Sequence, residues 1–176
     1  PSVQYGCIPA SYERFYPIGM GQVIRRDVAA SFKAAVERGA LSSTGRAGSS
    51  LSSGEDLQIV WQAVNAGLAV GVHPELILTH LIPGSRTTFR YMKRLAFGCG
   101  MAYQPAFVES FPDEYNRIRS VVPTTRQIAS QLVRLVARHA IRERSRLRVL
   151  SVEFAALLGL ICGHLRVGGY GPEHWA

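Results

Sequence analysis

Acidic residues are nearly missing from one part of this sequence. Between Arg117 and Arg148 nine arginines meet a single acid, Glu143. That block holds essentially all of the basic excess in a chain with 20 Lys and Arg against 12 Asp and Glu, and the remainder is close to neutral. A block of this kind attracts nucleic acid, anionic lipid or a phosphorylated ligand. Cysteine is also scarce. Cys7, Cys99 and Cys162 are far apart and odd in number and make no C-x-x-C pair. This argues against a zinc site or a disulfide framework and fits a reducing compartment. No charged segment leads into an apolar run at the start, so no signal peptide is visible there. There is no internal repeat of about 20–50 residues. The longest apolar stretch, 149–165, contains Glu153 and falls short of the roughly 20 residues of a spanning helix, so it reads as a buried or interfacial helix. The chain opens at Pro1 in loop-like sequence, which reads as a processed chain, an excised piece or a fragment.

The rest of the composition is that of an ordinary packed domain. Of 176 residues, 47% are hydrophobic and 18% charged, enough for a core and too apolar for disorder. Residues 1–17, rich in Tyr and Pro, read as irregular. Gly19-Met20-Gly21 reads as a turn into a short strand through Arg26. Asp27 then caps a helix to about Glu37, ended by Gly39. Residues 42–54 are a Ser/Gly loop. Leu57, Val60, Trp61 and Val64 recur at i, i+3, i+4 and i+7, one face of a helix that Gly67 ends. Two β-rich runs follow, 68–72 and 76–78, split by His73-Pro74. Ser85 or Thr87 caps a helix to about Tyr103, with Phe89, Met92, Leu95 and Ala96 on one side. After a polar link, Pro123 starts a helix with Ile128, Leu132, Leu135 and Val136 on its apolar face. Arg134, Arg138 and Arg142 form a basic stripe along it. The stretch 149–165 is interrupted by Gly159 and Gly163. Strands are few and helices many, and the several β-α units of a complete nucleotide-binding α/β domain are not present.

Several residues have chemistry to offer. Glu55 and Asp56 are adjacent acids at a loop-to-helix junction, where the helix N-terminus stabilises negative charge. Taken alone they read as helix capping; beside a substrate hydroxyl, one of them is a general base. His80 ends a strand-like run and, with His73, reads by itself as a structural histidine. Neither has a second His or Cys at metal-ligand spacing. Arg86 has the fork geometry that suits phosphate, although a solvated surface arginine has the same appearance in sequence. Gly19-Met20-Gly21 alone marks only a tight turn.

Read in order, these pieces acquire a pattern. Pro17-Ile18-Gly19-Met20-Gly21 runs into Arg25-Arg26-Asp27 and a helix. A Gly-rich loop leads to Ser53-Gly54-Glu55-Asp56-Leu57 and a helix to Ala66-Gly67. A strand pair with Pro74-Glu75, then Thr79-His80-Leu81-Ile82-Pro83 with Arg86, and a helix with Tyr91 and Leu95 complete the series. This succession, over about residues 15–105, resembles the C-terminal, acceptor-side part of the family 2 glycosyltransferases of the GT-A fold. The resemblance implies an α/β fold by family that is predominantly helical in this chain: a partial GT-A domain at 1–116 lacking most of the nucleotide-binding parallel sheet, and a basic and apolar helical extension at 117–176. It implies inverting transfer of a sugar, of the hexosyltransferase type, from a nucleotide-sugar donor to a hydroxyl of a glycan or lipid-linked acceptor. Asp56 would be the general base and Glu55 would flank it. Gly19, Met20 and Gly21 would pass close to donor and acceptor, and Arg86 would contact the diphosphate. His80 would approach a divalent cation, Mg or Mn.

The chain departs from the family pattern in two ways. It contains no Asp-x-Asp, the family's metal motif, which together with the donor-binding strands is expected outside these residues; the chain alone should then bind nucleotide-sugar poorly. No Gln-x-x-Arg-Trp follows Asp56, which points to a non-processive enzyme. The arginine-rich and apolar helices beyond 117 suit an anionic membrane surface, so the expected location is the cytoplasm, including the inner face of the membrane. The competing reading is a basic membrane- or nucleic-acid-binding helical module without catalysis. Nucleic acid is the weaker partner, because no helix-turn-helix is evident and no aromatics are interleaved with the arginines.

Overall fold

The computed structural model describes residues 4–6, 19–42, 51–114, 125–140 and 145–169. These residues are predominantly helical, as expected, with five α-helices and one short strand pair among them. They divide into two compact units, Pro1–Ser43 with Gly54–Leu81, and Thr44–Ser53 with Ile82–Ala176. The boundary at 116/117 implied by the resemblance follows sequence pattern, whereas this division follows packing, in which a helix before that point contacts one after it.

In the first unit, α1 (Arg26–Glu37) starts beyond Arg25, whose backbone is extended. Asp27 is therefore a first-turn residue and not the cap. Its carboxylate accepts from Arg25 Nη2 at 2.6 Å, from Arg25 Nε at 3.1 Å and from the Val28 amide at 3.0 Å. The Arg25 hydrogen bond is the main reason its pKa lies below the usual carboxylate value. The helix α2 (Glu55–Asn65) buries Val60, Trp61 and Val64, the stripe anticipated from spacing, and Trp61 is fully enclosed. Gly67, at φ 71°, ends α2 as expected. Chain then passes into β2 (Val70–Val72), antiparallel to β1 (Gln4–Gly6), with Tyr5 opposite Gly71.

Three strand expectations change. Residues 4–6 are a strand and not irregular chain, whereas 22–25 and 76–78 form none. Val23 is 80% exposed and Ile77 85%. β-propensity describes how well a side chain suits a pleated, half-buried surface, and it yields a strand only where a neighbour supplies a ladder. Among the described residues only β1 and β2 supply one to each other.

The second unit is built on α3 (Phe89–Ser110) and α5 (Ser145–Gly169), whose contact dominates its packing. Thr88 caps α3, its Oγ1 accepting from the Tyr91 amide at 3.2 Å, so the cap is neither Ser85 nor Thr87. The helix runs past Tyr103 to Ser110 through Pro105. The other helix, α5, is longer than the run 149–165: it continues through Gly159 and Gly163 without a break. Its segment Leu147–Val167 is long and apolar enough to cross a membrane by length and composition. The connecting helix α4 (Thr125–Ala140) half-buries Ile128, Leu132 and Leu135 but exposes Val136. Of the arginine stripe, Arg134 is exposed; the Arg138 side chain and Arg142 lie outside the described residues.

The α3–α5 pair is parallel. At one end the Arg148 guanidinium sits 5.3 Å from the Phe89 ring centroid, and at the other Val108 and Val167 bury each other. Between these ends the backbones come close. A carbon added at Gly159 would collide with the Phe97 carbonyl oxygen, one at Gly163 would lie 2.8 Å from that of Met101, and one at Gly100 would lie 2.7 Å from that of Ala156. Pro105 has no N–H to offer Met101, four residues earlier, so the Met101 carbonyl that faces Gly163 also lacks its usual helical donor.

Gly159→Leu is expected to reduce the free energy of unfolding by about 1–3 kcal/mol, the usual cost of overpacking, read as a lower urea midpoint at constant m. Gly84→Ala, where an added methyl meets nothing within 4 Å, is the silent control. An unaltered midpoint in Gly159→Leu would contradict the close approach. A second expectation concerns His164 on α5. Burial lowers its pKa from the ordinary 6.5 and favours the neutral ring. The associated stability is complete above that ordinary value and falls as pH drops through it toward the folded-state pKa. Urea midpoints at pH 7.5 and pH 5 should therefore differ more in the parent than in His164→Gln.

Candidate active site

Gly54 precedes α2 with φ −137° and ψ −7°, and its carbonyl accepts from Gln58 at 2.9 Å. Gly54 supplies no side-chain cap, and Glu55 and Asp56 occupy the first turn of the helix. Both are half-buried. Asp56 Oδ1 accepts from the Leu57 amide at 3.0 Å. The amide holds one oxygen in place.

The turn Gly19-Met20-Gly21 lies directly against this carboxylate. A carbon added at Gly19 would stand 2.9 Å from both Asp56 Cβ and Asp56 Oδ2, closer than any side chain tolerates. Gly21, at φ 80°, holds the turn in a conformation that an L side chain adopts only under strain. Leu78 occupies the place its side chain would take. Two motifs about 35 residues apart in sequence thus meet backbone to side chain, and Leu78 closes over the turn. Met20 itself is half exposed.

Behind the turn is a cleft of about 400 Å³, lined among others by Met20, Gly21, Val28, Val60, Val70 and Leu76. Its wall is largely aliphatic, which suits an apolar surface better than a charged ligand. Sequence reading missed both the cleft and Leu78. In sequence Leu78 belongs to a strand-like run, where alternation sends side chains to either face, and nothing local signals that it covers a glycine.

The other sequence candidates are placed differently. His80 is exposed, two residues beyond Leu78. His73 accepts from the Glu75 amide at 3.3 Å through Nδ1, a turn-stabilising role. Arg86 is exposed, ends the short 3₁₀ turn Gly84–Arg86 and belongs to the second unit, not to the unit of Asp56. No group of three or more His, Cys, Asp or Glu among the described residues is placed to hold a metal ion. His80 therefore does not make a divalent-cation site with the residues described, and the ligands implied by the resemblance would have to come from elsewhere.

No family model, curated protein or solved structure matches this chain.

The Gly19–Asp56 contact can be tested by a double-mutant cycle. Gly19→Ala should destabilise the parent by about 1–2 kcal/mol and should be clearly milder in an Asp56→Gly background, because the clash involves the Asp56 Cβ itself, with a coupling of about 1 kcal/mol. Strict additivity would place the turn away from the carboxylate.

Proposed function

We propose that the first unit is the acceptor-side part of an inverting glycosyltransferase, with Asp56 as the general base. One observation carries this reading: a side-chain-free turn laid against a half-buried carboxylate at the start of a helix. A transferase needs two things at this point. It needs an ionised carboxylate that does not move, and a backbone slim enough for a sugar to approach it. The Leu57 amide holds one Asp56 oxygen in place, and Gly19 keeps the turn beside the carboxylate free of a side chain. Helix capping alone would explain the acids but not why a glycine turn far away in sequence rests on one of them.

The chemistry follows from that placement. The acceptor hydroxyl gives its proton to an Asp56 carboxylate oxygen as its own oxygen attacks the anomeric carbon of the donor sugar. The bond from that carbon to the diphosphate oxygen breaks, and the nucleoside diphosphate leaves with the electron pair. Attack opposite the leaving group inverts the anomeric centre. Glu55, next to the base, adds negative potential that keeps the acceptor proton directed toward Asp56. The reading requires a donor-binding part outside these 176 residues, and the aliphatic cleft beside the turn is a surface on which such a part would pack.

In the complete protein, Asp56→Asn should lower the rate of transfer by about 10²–10⁴-fold, the range of general-base contributions, and leave the donor dissociation constant within about twofold. The measurements are single-turnover transfer and calorimetric titration with nucleotide-sugar. Undiminished transfer in Asp56→Asn removes the base assignment, and loss of donor binding would give Asp56 a donor-side role instead.

A further inference from the structure

Because α3 and α5 are parallel, their N-termini lie at the same end of the pair. The first turns of α3 bring Arg90, Lys93 and Arg94 there, all exposed, and α5 brings Arg148 to the Phe89 ring. This basic end could not be read from sequence, because the two contributions come from segments about 55 residues apart and meet only if the helices run the same way. Beyond it the pair becomes apolar. A groove of about 570 Å³ runs along α3 and α5, with Lys93 and Arg94 near one end and Phe97, Met101, Phe154 and Leu158 forming the wall. Among the described residues no acidic side chain lines it.

The groove continues into an open apolar face. Leu147, Leu150, Phe154, Leu158, Ile161 and Leu165 alternate at spacings of three, four and seven along α5, a single stripe. Leu147 and Leu165 are each more than 60% exposed. In Leu147–Val167 the buried residues are Gly159, Gly163 and Val167. The glycine notches explain this geometry: α5 applies Gly159 and Gly163 to α3 and directs its large side chains outward. An apolar face of this length in a soluble domain needs a cover. The charge beside it identifies the cover: Arg90, Lys93, Arg94 and Arg148 are exposed at the basic end of the pair, and in sequence the segment 117–148 carries nine arginines against one acid.

We propose that the second unit docks on an anionic phospholipid bilayer, with headgroup phosphates at Lys93 and Arg94 and acyl chains against the groove wall and the α5 stripe. The match is one of order as well as kind: charge at one level and hydrocarbon at the next, which is how a lipid monolayer presents itself. A second copy of this chain would bring more positive charge to the basic end and would be repelled there. The proposal does not rest on the transferase reading, and its test uses no sugar nucleotide.

The test is flotation of the full chain with vesicles of phosphatidylglycerol and phosphatidylcholine, against phosphatidylcholine alone. Partitioning should be at least tenfold stronger on the anionic vesicles at about 0.1 M salt. Lys93→Gln should weaken it about fivefold, and Lys93→Gln with Arg94→Gln about 25-fold, the expectation for one and two basic groups at an anionic surface. Both residues are exposed, and unchanged urea midpoints confirm that the variants fold. Phe154→Trp reports depth: its added emission should shift to the blue on the anionic vesicles and be quenched by lipids brominated on the acyl chain. Equal partitioning on both vesicle types, insensitivity to the Lys93 and Arg94 changes, or unquenched Trp emission would each overturn the proposal. So would concentration-dependent dimerisation that Leu158→Ser abolishes in a chain that ignores vesicles.

Discussion

Everything in the second unit depends on carbonyl oxygens of α3 lying where side chains of α5 would otherwise be. Phe97 and Met101 present those oxygens to Gly159 and Gly163, and Gly100 returns the favour toward Ala156. Backbones this close gain dispersion along their whole length and permit weak Cα–H···O contacts, each worth about 0.5–1 kcal/mol. The Met101 carbonyl, deprived of its amide donor by Pro105, is the one with most to gain from such a neighbour. Once the glycines are committed to this seam, the large residues of α5 have only the outer face left, and both the groove and the exposed stripe follow.

The first unit uses the same device on a smaller scale. Gly19 rests on Asp56 and Gly21 is roofed by Leu78, so a turn, a helix start and an extended run are fixed against one another through positions that lack a β-carbon. A carboxylate held in this way has little rotational freedom left, which is the form of preorganisation that the proposed general-base role would reward.

The helices were legible because their signals are local. Val60, Trp61 and Val64 at helical spacing, and Gly67 after them, needed no tertiary knowledge, and the same holds for the apolar face of α4. The strands at 22–25 and 76–78 were misread because β-propensity is a statement about strand partners, and among the described residues neither run has a neighbouring strand. Asp56 was legible as a candidate from its place before a helix, and Gly19 only from its order in a longer series; their contact was not, since it depends on how a turn folds back across 37 positions. The groove at Lys93 and Phe154 was invisible for a related reason. Gly159 and Gly163 looked like interruptions in an apolar run, whereas they are the residues that let the helix continue beside a neighbour, and no one-dimensional pattern distinguishes parallel from antiparallel neighbours.

Parallel pairing has a consequence for how the chain is made. Two antiparallel helices joined by a short loop can close as soon as the second emerges, but α3 and α5 touch across roughly 60 residues, and α4 must be in place before they meet. At a synthesis rate of about 5–20 residues per second, α3 waits several seconds for the helix that fits its carbonyls. During that interval Phe97, Met101 and the Gly100 notch face the surroundings with no partner. The ribosome thus exposes an apolar helix with a basic N-terminal end well before the unit can close, and whichever surface or chaperone is nearest at that moment meets it first.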